Sequence, residues 1–198
     1  KVIPLFVEPS GYNINVACGS PHPEKLREVV IKEKADLGIA LDGDADRIIM
    51  VDEKGNIIDG DYITALVAKY YKKEGMLNNN SVVITEYSNL ALVQELEKNN
   101  ISVLKVLNGD RAIAKLCREK GLNFGGEQTG HFLFLDYSDT GDGTLSALVV
   151  MKIMKDTKEK LSKLAYTFDK YPQKVINLVV NKKIPIEEMR GITLQDIS

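Results

Sequence analysis

Three aspartates at alternate positions form the most distinctive pattern in the sequence. Asp42, Asp44 and Asp46 are separated by Gly43 and Ala45, and they follow a short apolar run. Like charges packed this closely repel one another unless a cation neutralises them, and small intervening residues let the backbone bring the three carboxylates together. Oxygen ligands of this kind suit Mg²⁺ or Ca²⁺ better than zinc. The pattern therefore predicts a site for a divalent cation.

Arg47 directly follows the aspartates and adds a second chemical group to the same loop. A guanidinium does not bind a cation, but its planar fork suits a phosphate group. A metal ion beside a fixed guanidinium is the arrangement that phosphoryl transfer requires. The alternatives are an acidic surface turn without a function and an EF-hand. An EF-hand needs glycine where this loop has Arg47, and it needs helices where residues 37–41 and 48–51 are typical of strands.

A glycine-rich polar segment at residues 125–131 is the second candidate binding loop. It presents Glu127, Gln128, Thr129 and His131 between two extended stretches. A glycine-rich hairpin explains the glycines but not this choice of polar side chains. Hydrogen-bond donors and acceptors on one rigid loop suit the hydroxyl groups of a sugar, and a histidine can move protons near neutral pH.

Two further polar segments lie at residues 108–111 and 140–144. Asp110 and Asp142 stand beside the starts of predicted helices, where an aspartate often serves as the N-cap, and we favour this role for Asp142. Arg111 lies just inside a helix that follows a strand. Because ligands bind at the carboxyl ends of the strands in α/β sheets, its position indicates a role in binding.

Helical and extended periodicities alternate along the chain. Helices are predicted at residues 23–34, 61–73, 89–98, 110–120, 145–154 and 158–170, and strands at 37–41, 48–51, 81–87, 101–107, 132–135 and 174–180. Strands separated by helices of about ten to fifteen residues favour an α/β fold with mixed, mainly parallel sheets flanked by helices. In such a fold the candidate loops lie where ligands bind.

Composition excludes several classes of protein. The 198 residues include 26 Lys and Arg and 28 Asp and Glu, for a net charge of −2, so nothing indicates a nucleic-acid partner. No apolar run approaches the roughly 18 residues of a membrane span, and the first residues do not resemble a signal peptide. Cys18 and Cys117 lie far apart, and Cys117 fits the apolar face of a helix. We therefore expect a cytoplasmic protein without a membrane partner.

Taken together, these loops resemble the α-D-phosphohexomutase superfamily. Residues 42–47 are similar to its metal-binding loop and residues 126–131 to its sugar-recognition loop, in which Thr129 replaces the usual serine. Residues 109–111 and 140–143 resemble the glucosamine branch of the superfamily. The resemblance extends from about residue 8 to residue 180, nearly the whole chain.

The resemblance implies a role for each candidate residue. One Mg²⁺ per active site is bound by Asp42, Asp44 and Asp46, and catalysis involves Arg47 and His131. The resemblance implies that five residues bind the substrate, namely Glu127, Thr129, Gly130, Arg111 and Asp110.

The resemblance also implies a domain organisation. Residues 1–58 are the C-terminal part of domain 2 with the metal-binding loop, residues 59–170 are one complete domain 3 with the sugar-recognition loop, and residues 171–198 are a linker and the start of domain 4. The superfamily's phosphorylated serine of domain 1 and its C-terminal phosphate-binding loop have no counterpart in this sequence. We therefore expect a fragment that has no mutase activity by itself.

The activity implied for the whole enzyme is the interconversion of glucosamine 6-phosphate and glucosamine 1-phosphate. It proceeds through a phosphoserine and a bisphosphate intermediate, and a hexosamine or hexose 1,6-bisphosphate is the expected activator. The phosphosugar is the expected partner, and a homodimer of the full-length enzyme agrees with the resemblance. Two alternatives stay open: a phosphoglucomutase or phosphomannomutase of the same superfamily, and a non-catalytic module that binds a sugar phosphate or a cation.

Overall fold

The computed structural model describes residues 1–107 and 109–174, and it confirms the predicted mixed α/β class. The helices are α1 (Glu24–Glu33), α2 (Gly60–Lys73), α3 (Leu90–Lys98), α4 (Asp110–Lys120), α5 (Gly143–Thr157) and α6 (Leu161–Ala165). The strands are β1 (Leu37–Leu41), β2 (Ile48–Asp52), β3 (Ile57–Ile58), β4 (Ser81–Thr85), β5 (Ser102–Val106), β6 (Phe124–Gly126) and β7 (Phe132–Phe134).

The first sheet is antiparallel and has the order β1-β2-β3. Leu41 pairs with Ile48 at the closed end of the β1–β2 hairpin, and Leu37 pairs with Asp52 at its open end. Residues 42–47 are too few for the helical crossover that a parallel pair needs, so the two strands must run in opposite directions. The acidic loop is therefore a hairpin loop, whose two ends are fixed by the strand pairing.

The second sheet has the order β5-β4-β6-β7 and is mainly parallel, as predicted. β4 pairs in parallel with both β5 and β6, whereas β7 returns antiparallel beside β6. Helices α3 and α4 provide the two crossovers between the parallel strands. The carboxyl ends of β4, β5 and β6 consequently lie at one edge of the sheet, and each is followed by a polar loop.

The two sheets share one hydrophobic core. Ile48 and Met50 of β2 belong to the same cluster of buried side chains as Val82 and Ile84 of β4, together with buried residues of α2 and α5. Removal of such tightly packed side chains lowers the free energy of unfolding, so the packing shared by the two sheets fixes the positions of the surrounding elements. The acidic loop of the first sheet and the glycine-rich loop of the second are thereby held in a defined relationship.

Three features of the chain differ from the predictions or lie outside the described residues. The helix predicted at residues 158–170 is helical only over Leu161–Ala165, because Lys158 adopts a left-handed conformation and Tyr166 turns away to donate a hydrogen bond to the carbonyl of Ile57. The short strand β3 was not predicted. The strand predicted at residues 174–180 lies outside the described residues beyond residue 174.

No helix within residues 1–107 and 109–174 has both the length and the apolar composition to cross a membrane.

Candidate functional site

The β1–β2 loop brings its three aspartates together through a tight turn. Ala45 has a left-handed conformation with φ of 60°, and its amide donates a hydrogen bond to the carbonyl of Asp42 at 3.2 Å. The amide of Arg47 donates to Oδ1 of Asp42 at 3.1 Å. Carboxylate oxygens of Asp42, Asp44 and Asp46 lie within 4.8 Å of one another. The loop thus gathers the carboxylates that the sequence placed at alternate positions.

The charges in this loop are only partly compensated by the protein. Burial raises the pKa of Asp46, and the neighbouring Asp42 and Asp44 raise it further against the opposing effects of His131 and Arg47. The Nε atom of Arg47 is 3.8 Å from Asp42 and 3.9 Å from Asp46. The Oδ1 atom of Asp46 is buried without a hydrogen-bond partner among the described residues. A divalent cation fits this set of oxygen atoms, because it would neutralise the mutual repulsion and supply the missing partner.

The glycine-rich segment forms the loop of the β6–β7 hairpin. The hairpin alternative was therefore correct for the backbone: the amide of Glu127 donates to the carbonyl of His131, and the amide of Gly130 donates to the carbonyl of Glu127, both at 3.0 Å. The hydroxyl of Thr129 donates to Oε2 of Glu127 at 2.9 Å. The other oxygen, Oε1, is buried without a partner among the described residues. Buried polar atoms are rarely left unpaired, so the loop retains a capacity to bind.

The two loops meet through both backbone and side-chain contacts. Arg47 and His131 form an antiparallel bridge, and the amide of Ile48 donates to the carbonyl of Gly130 at 3.0 Å. The Nδ1 atom of His131 lies 3.2 Å from Oδ2 of Asp46. A Cβ atom on Gly130, whose φ is 91°, would be 2.0 Å from the carbonyl oxygen of Ile48. The acidic loop and the glycine-rich loop therefore form a single site.

The start of α5 covers this junction. Asp142 is the N-cap and accepts a hydrogen bond from the amide of Leu145 at 2.9 Å, which confirms the capping role favoured from the sequence. The amide of Gly143 donates to the carbonyl of Ala45 at 2.9 Å. A Cβ atom on Gly141 would be 2.1 Å from Nε2 of His131, so only glycine lets this backbone cover the imidazole.

Asp110 and Arg111 are exposed at the start of α4. Gly109 takes the N-cap position, so Asp110 lies in the first turn and is not the cap. Because β5 and β6 both run parallel to β4, this helix start lies at the same sheet edge as the glycine-rich loop. No hydrogen bond or ion pair within the described part of the chain joins either side chain to Glu127 or to the aspartates.

A buried acidic residue beneath the glycine-rich loop was not foreseen. Asp61 is 0% exposed, and its Oδ2 atom accepts a hydrogen bond from Nε2 of Gln128 at 3.2 Å. The backbones of the two segments are also in contact here, because the amide of Gly60 donates a hydrogen bond to the carbonyl of Gln128 at 3.0 Å. The available signal is a second Asp-Gly-Asp sequence at residues 59–61, at the start of the helix predicted at residues 61–73.

Curated relatives of the chain include bacterial proteins named phosphoglucosamine mutase. The one from Bacillus mycoides (strain KBAB4) is 51% identical over 184 residues, which are 92% of this chain and 41% of that protein. The one from Desulforamulus reducens is 47% identical over 183 residues, again 92% of this chain and 41% of that protein. The chain thus spans about two fifths of the length of the curated relatives it matches.

Solved structures of other proteins share this fold. A phosphoglucomutase/phosphomannomutase family protein from Burkholderia thailandensis superposes with a TM-score of 0.71 and 25% identity over 82% of this chain and 36% of that one. The N-acetylphosphoglucosamine mutase of Aspergillus fumigatus, solved in complex with GlcNAc-6P and magnesium, gives a TM-score of 0.60 and 21% identity over 80% of this chain and 38% of that one. At this identity the second similarity concerns the fold alone.

Two family models match consecutive parts of the chain. Residues 1–55 match phosphoglucomutase/phosphomannomutase, alpha/beta/alpha domain II, and residues 59–171 match alpha/beta/alpha domain III. The acidic loop lies in the first match, and the glycine-rich loop lies in the second. Since the domain III match alone covers more than half of the sequence, the chain belongs to the phosphoglucomutase/phosphomannomutase family.

Proposed function

We propose that this chain provides the metal-binding and sugar-recognition parts of a phosphosugar mutase that interconverts glucosamine 6-phosphate and glucosamine 1-phosphate. The observation that carries the proposal is the junction of the two loops, where His131 of one loop contacts Asp46 of the other at 3.2 Å. A cation site built directly against a sugar-binding loop suits the transfer of a phosphoryl group to or from a sugar. The names of the curated relatives support the choice of amino sugar.

Asp42, Asp44 and Asp46 are the proposed ligands of one Mg²⁺ ion. When bound, the ion would neutralise negative charge on the oxygen atoms of the phosphoryl group. The orphaned Oδ1 atom of Asp46 and the mutual proximity of the three carboxylates support this assignment. So does the magnesium in the structure of the fungal N-acetylphosphoglucosamine mutase with the same fold.

Arg47 is proposed to orient the phosphoryl group. About half of its side chain is exposed, at 49%, and its Nε atom lies near Asp42 and Asp46 without reaching hydrogen-bond distance of either. Its guanidinium is therefore accessible to a phosphate beside the cation site, where a fixed positive charge favours the developing negative charge.

Glu127, Thr129 and Gly130 are proposed to bind the sugar. The Thr129 hydroxyl already bonds to Glu127 and orients one of its carboxylate oxygens, which leaves the other oxygen to accept a hydrogen bond from a sugar hydroxyl. Arg111 and Asp110 are proposed to contact the substrate from the neighbouring loop of the same sheet edge. Their exposure leaves both side chains accessible to a ligand.

His131 has two candidate roles, transfer of a proton or orientation of a metal ligand. Its Nδ1 atom contacts Asp46, while Nε2 is buried against Gly141 and has no partner among the described residues. A proton on Nε2 would reach a substrate only if the backbone around Gly141 moved. The contacts therefore support the second role, in which the imidazole holds Asp46 in position for the cation.

The remaining parts of the proposal concern the whole protein. We propose that domain 2 ends at residue 58 and domain 3 at residue 170, and that the phosphorylated serine lies on a part of the enzyme not contained in this chain. Turnover would then require that part, a bisphosphate would activate it, and the fragment alone would be inactive. A cytoplasmic location and a homodimer of the whole enzyme stay predictions.

The experiment that tests the function offers sugar phosphates to the full-length protein that contains this chain. Glucosamine, glucose and mannose 6-phosphates are supplied with Mg²⁺ and a trace of hexose 1,6-bisphosphate, and formation of each 1-phosphate is followed. We expect preference for glucosamine 6-phosphate. Preference for glucose or mannose would contradict the choice of sugar, whereas no turnover of any of them by protein shown to contain phosphoserine would favour the non-catalytic binding module.

A further inference from the structure

We infer that Asp61 and Lys170 position the sugar-recognition loop and connect it to the segment that follows domain III. Asp61 is a positioning residue here and does not contact the substrate. The inference rests on the proposed function for its consequences in catalysis, but its structural part is independent of that function.

The N-terminus of α2 packs directly against the backbone of the sugar-recognition loop. A Cβ atom on Gly60 would be 1.9 Å from the carbonyl oxygen of Glu127, so no side chain fits between them. The amide of Gly60 donates a hydrogen bond to the carbonyl of Gln128, and the carboxylate of Asp61 accepts one from the Gln128 side chain. Movement of α2 at this point would therefore move the loop that carries Glu127 and Thr129.

Asp61 is stabilised in this buried position by a cation from a distant part of the chain. The Nζ atom of Lys170 lies 2.6 Å from Oδ2 of Asp61 and 2.5 Å from Oδ2 of Asp59. It also lies 5.0 Å from the centre of the Tyr62 ring. A buried carboxylate that loses its cation is left as an uncompensated charge, which is strongly unfavourable. Lys170 therefore stabilises the charged form of Asp61, whose Oδ2 atom accepts the hydrogen bond from Gln128.

Burial and Lys170 act in opposite directions on Asp61: burial raises the pKa of its carboxyl, and the Lys170 ammonium opposes that rise. Burial lowers the pKa of Lys170, but its hydrogen bonds and charge interactions with Asp59 and Asp61 outweigh this effect and raise the pKa above its ordinary value. The lysine is therefore charged across the physiological range. The ring of Tyr62 adds a favourable contact for the same cation.

The segment after Lys170 is fastened to the same sheet edge. Asn89 caps α3, donates to the carbonyl of Tyr171 at 2.9 Å and accepts from the amide of Tyr171 at 3.1 Å. Gln173 donates to the carbonyl of Tyr87 at 2.9 Å, and its Oε1 atom lies 3.4 Å from Nε2 of Gln128. The domain III match ends at residue 171, so the contacts to Gln128 lie where the chain leaves that domain. A displacement of this segment would remove Lys170 from Asp61 and release the loop.

The test compares variants of the full-length protein by amide hydrogen exchange and by kinetics. Lys170→Met removes the cation and keeps the length of the side chain, and Lys170→Arg restores a cation. Lys163→Met is the matched control, because Lys163 of α6 forms an exposed ion pair with Glu159, which precedes that helix. Exchange is followed at the amides of Glu127 and Gly130, with the β4 amides as an internal reference.

We expect Lys170→Met to accelerate exchange at Glu127 and Gly130 about tenfold while β4 is unchanged, because local opening need not involve the core. KM for glucosamine 6-phosphate should rise about tenfold with kcat within about threefold of wild type, since substrate binding is what the loop supplies. Lys170→Arg should restore both values, and Lys163→Met should behave as wild type.

Unchanged exchange in Lys170→Met would overturn the inference, and so would equal acceleration throughout the protein, which would indicate general destabilisation. If Lys170→Met does not fold, the double variant Asp61→Asn with Lys170→Met removes both charges. This variant should fold, and its loop should still exchange faster than the loop of the wild-type protein. A loop as protected as in wild type would also overturn the inference. If the wild-type protein turns over no sugar phosphate, the proposed function fails, but the exchange result still decides whether Lys170 and Asp61 hold the loop.

Discussion

His131 and Asp46 connect the two halves of the site. The Nδ1 atom of His131 lies 3.2 Å from Oδ2 of Asp46, although the two residues belong to loops of different sheets. The His131 side chain is 5% exposed and Asp46 is 31% exposed, so the contact is shielded from solvent on the histidine side. This contact makes the position of a proposed metal ligand depend on the conformation of the glycine-rich loop.

Replacement of His131 distinguishes orientation of Asp46 from transfer of a proton. We expect His131→Gln to raise the Mg²⁺ concentration for half-maximal activity of the full-length enzyme about tenfold, as loss of an orienting partner does elsewhere. At saturating Mg²⁺, kcat should recover to within tenfold of wild type. A loss of tenfold or more in kcat that no Mg²⁺ concentration restores would instead assign the proton transfer to His131.

Replacement of Gly130 tests the close approach of the two loops. We expect Gly130→Ala to lower the free energy of unfolding by at least about 2 kcal/mol, because it combines a positive φ with a Cβ atom 2.0 Å from the carbonyl of Ile48. Gly121→Ala is the matched control: Gly121 also has a positive φ of 63°, but a Cβ atom there meets nothing within 4 Å. Denaturant unfolding measures both. Equal destabilisation by the two substitutions would show that the contact with Ile48 is unimportant.

Acid stability should depend on Glu53, which follows β2. Burial raises the pKa of this carboxyl, but hydrogen bonds from the hydroxyl of Ser162 at 2.5 Å and from its amide at 3.3 Å outweigh burial and hold the pKa below its ordinary value of 4.5. A lowered pKa means that the stabilisation is fully present above the unfolded-state value and is lost as the pH falls through the folded-state value. The window lies below about pH 4.5.

We therefore expect Glu53→Gln to cost about 1 kcal/mol at pH 7 and progressively less as the pH falls below that window, because the wild-type carboxylate then loses its charge as well. Thermal or denaturant unfolding of both proteins across pH measures the difference. Glu119→Gln is the control, since the one ion pair of Glu119 among the described residues is with exposed Lys115 at 3.9 Å. A difference that stays constant down to pH 3 would contradict the assignment.

The two cysteines should differ sharply in reactivity. Cys117 is 0% exposed, and burial raises the pKa of its thiol to about 11, so it stays protonated at pH 8. Cys18 is partly exposed. Alkylation of the folded protein at pH 8, followed by peptide mapping, should modify Cys18 and leave Cys117 unmodified until denaturant is added. Rapid modification of Cys117 in the folded protein would mean that α4 is not packed as described.

Local sequence was sufficient to predict the conformation of the two candidate loops. The alternation of Asp42, Asp44 and Asp46 with small residues and the short distance between β1 and β2 dictate a tight hairpin that brings the carboxylates together. The glycines of the β6–β7 connection likewise predict its turn. These features depend on residues near one another in sequence, so spacing alone reveals them.

Contacts between distant segments were not accessible in this way. Gly141 covers His131, and Lys170 neutralises Asp61, only because the fold brings separate elements together. Contacts of this kind also explain why the helix predicted at residues 158–170 ends at Ala165: Tyr166 binds the carbonyl of Ile57, and Lys170 reaches Asp59 before α2. A sequence pattern predicts local conformation, but it does not identify the distant residues whose contacts change that conformation.

The central claim, that the acidic loop holds the cation required for turnover of a sugar phosphate, is tested most directly by Asp44→Asn in the full-length protein. Formation of glucosamine 1-phosphate from glucosamine 6-phosphate is measured against Mg²⁺ concentration. Asp36→Asn, the same change at an exposed residue before β1, is the control.

We expect wild type and Asp36→Asn to show the same Mg²⁺-dependent turnover. Turnover by Asp44→Asn should fall at least about a hundredfold, because the substitution removes a proposed ligand of the ion. Its unfolding transition should stay that of wild type, because Asp44 is exposed. Turnover by Asp44→Asn equal to wild type at ordinary Mg²⁺ concentrations would contradict the account.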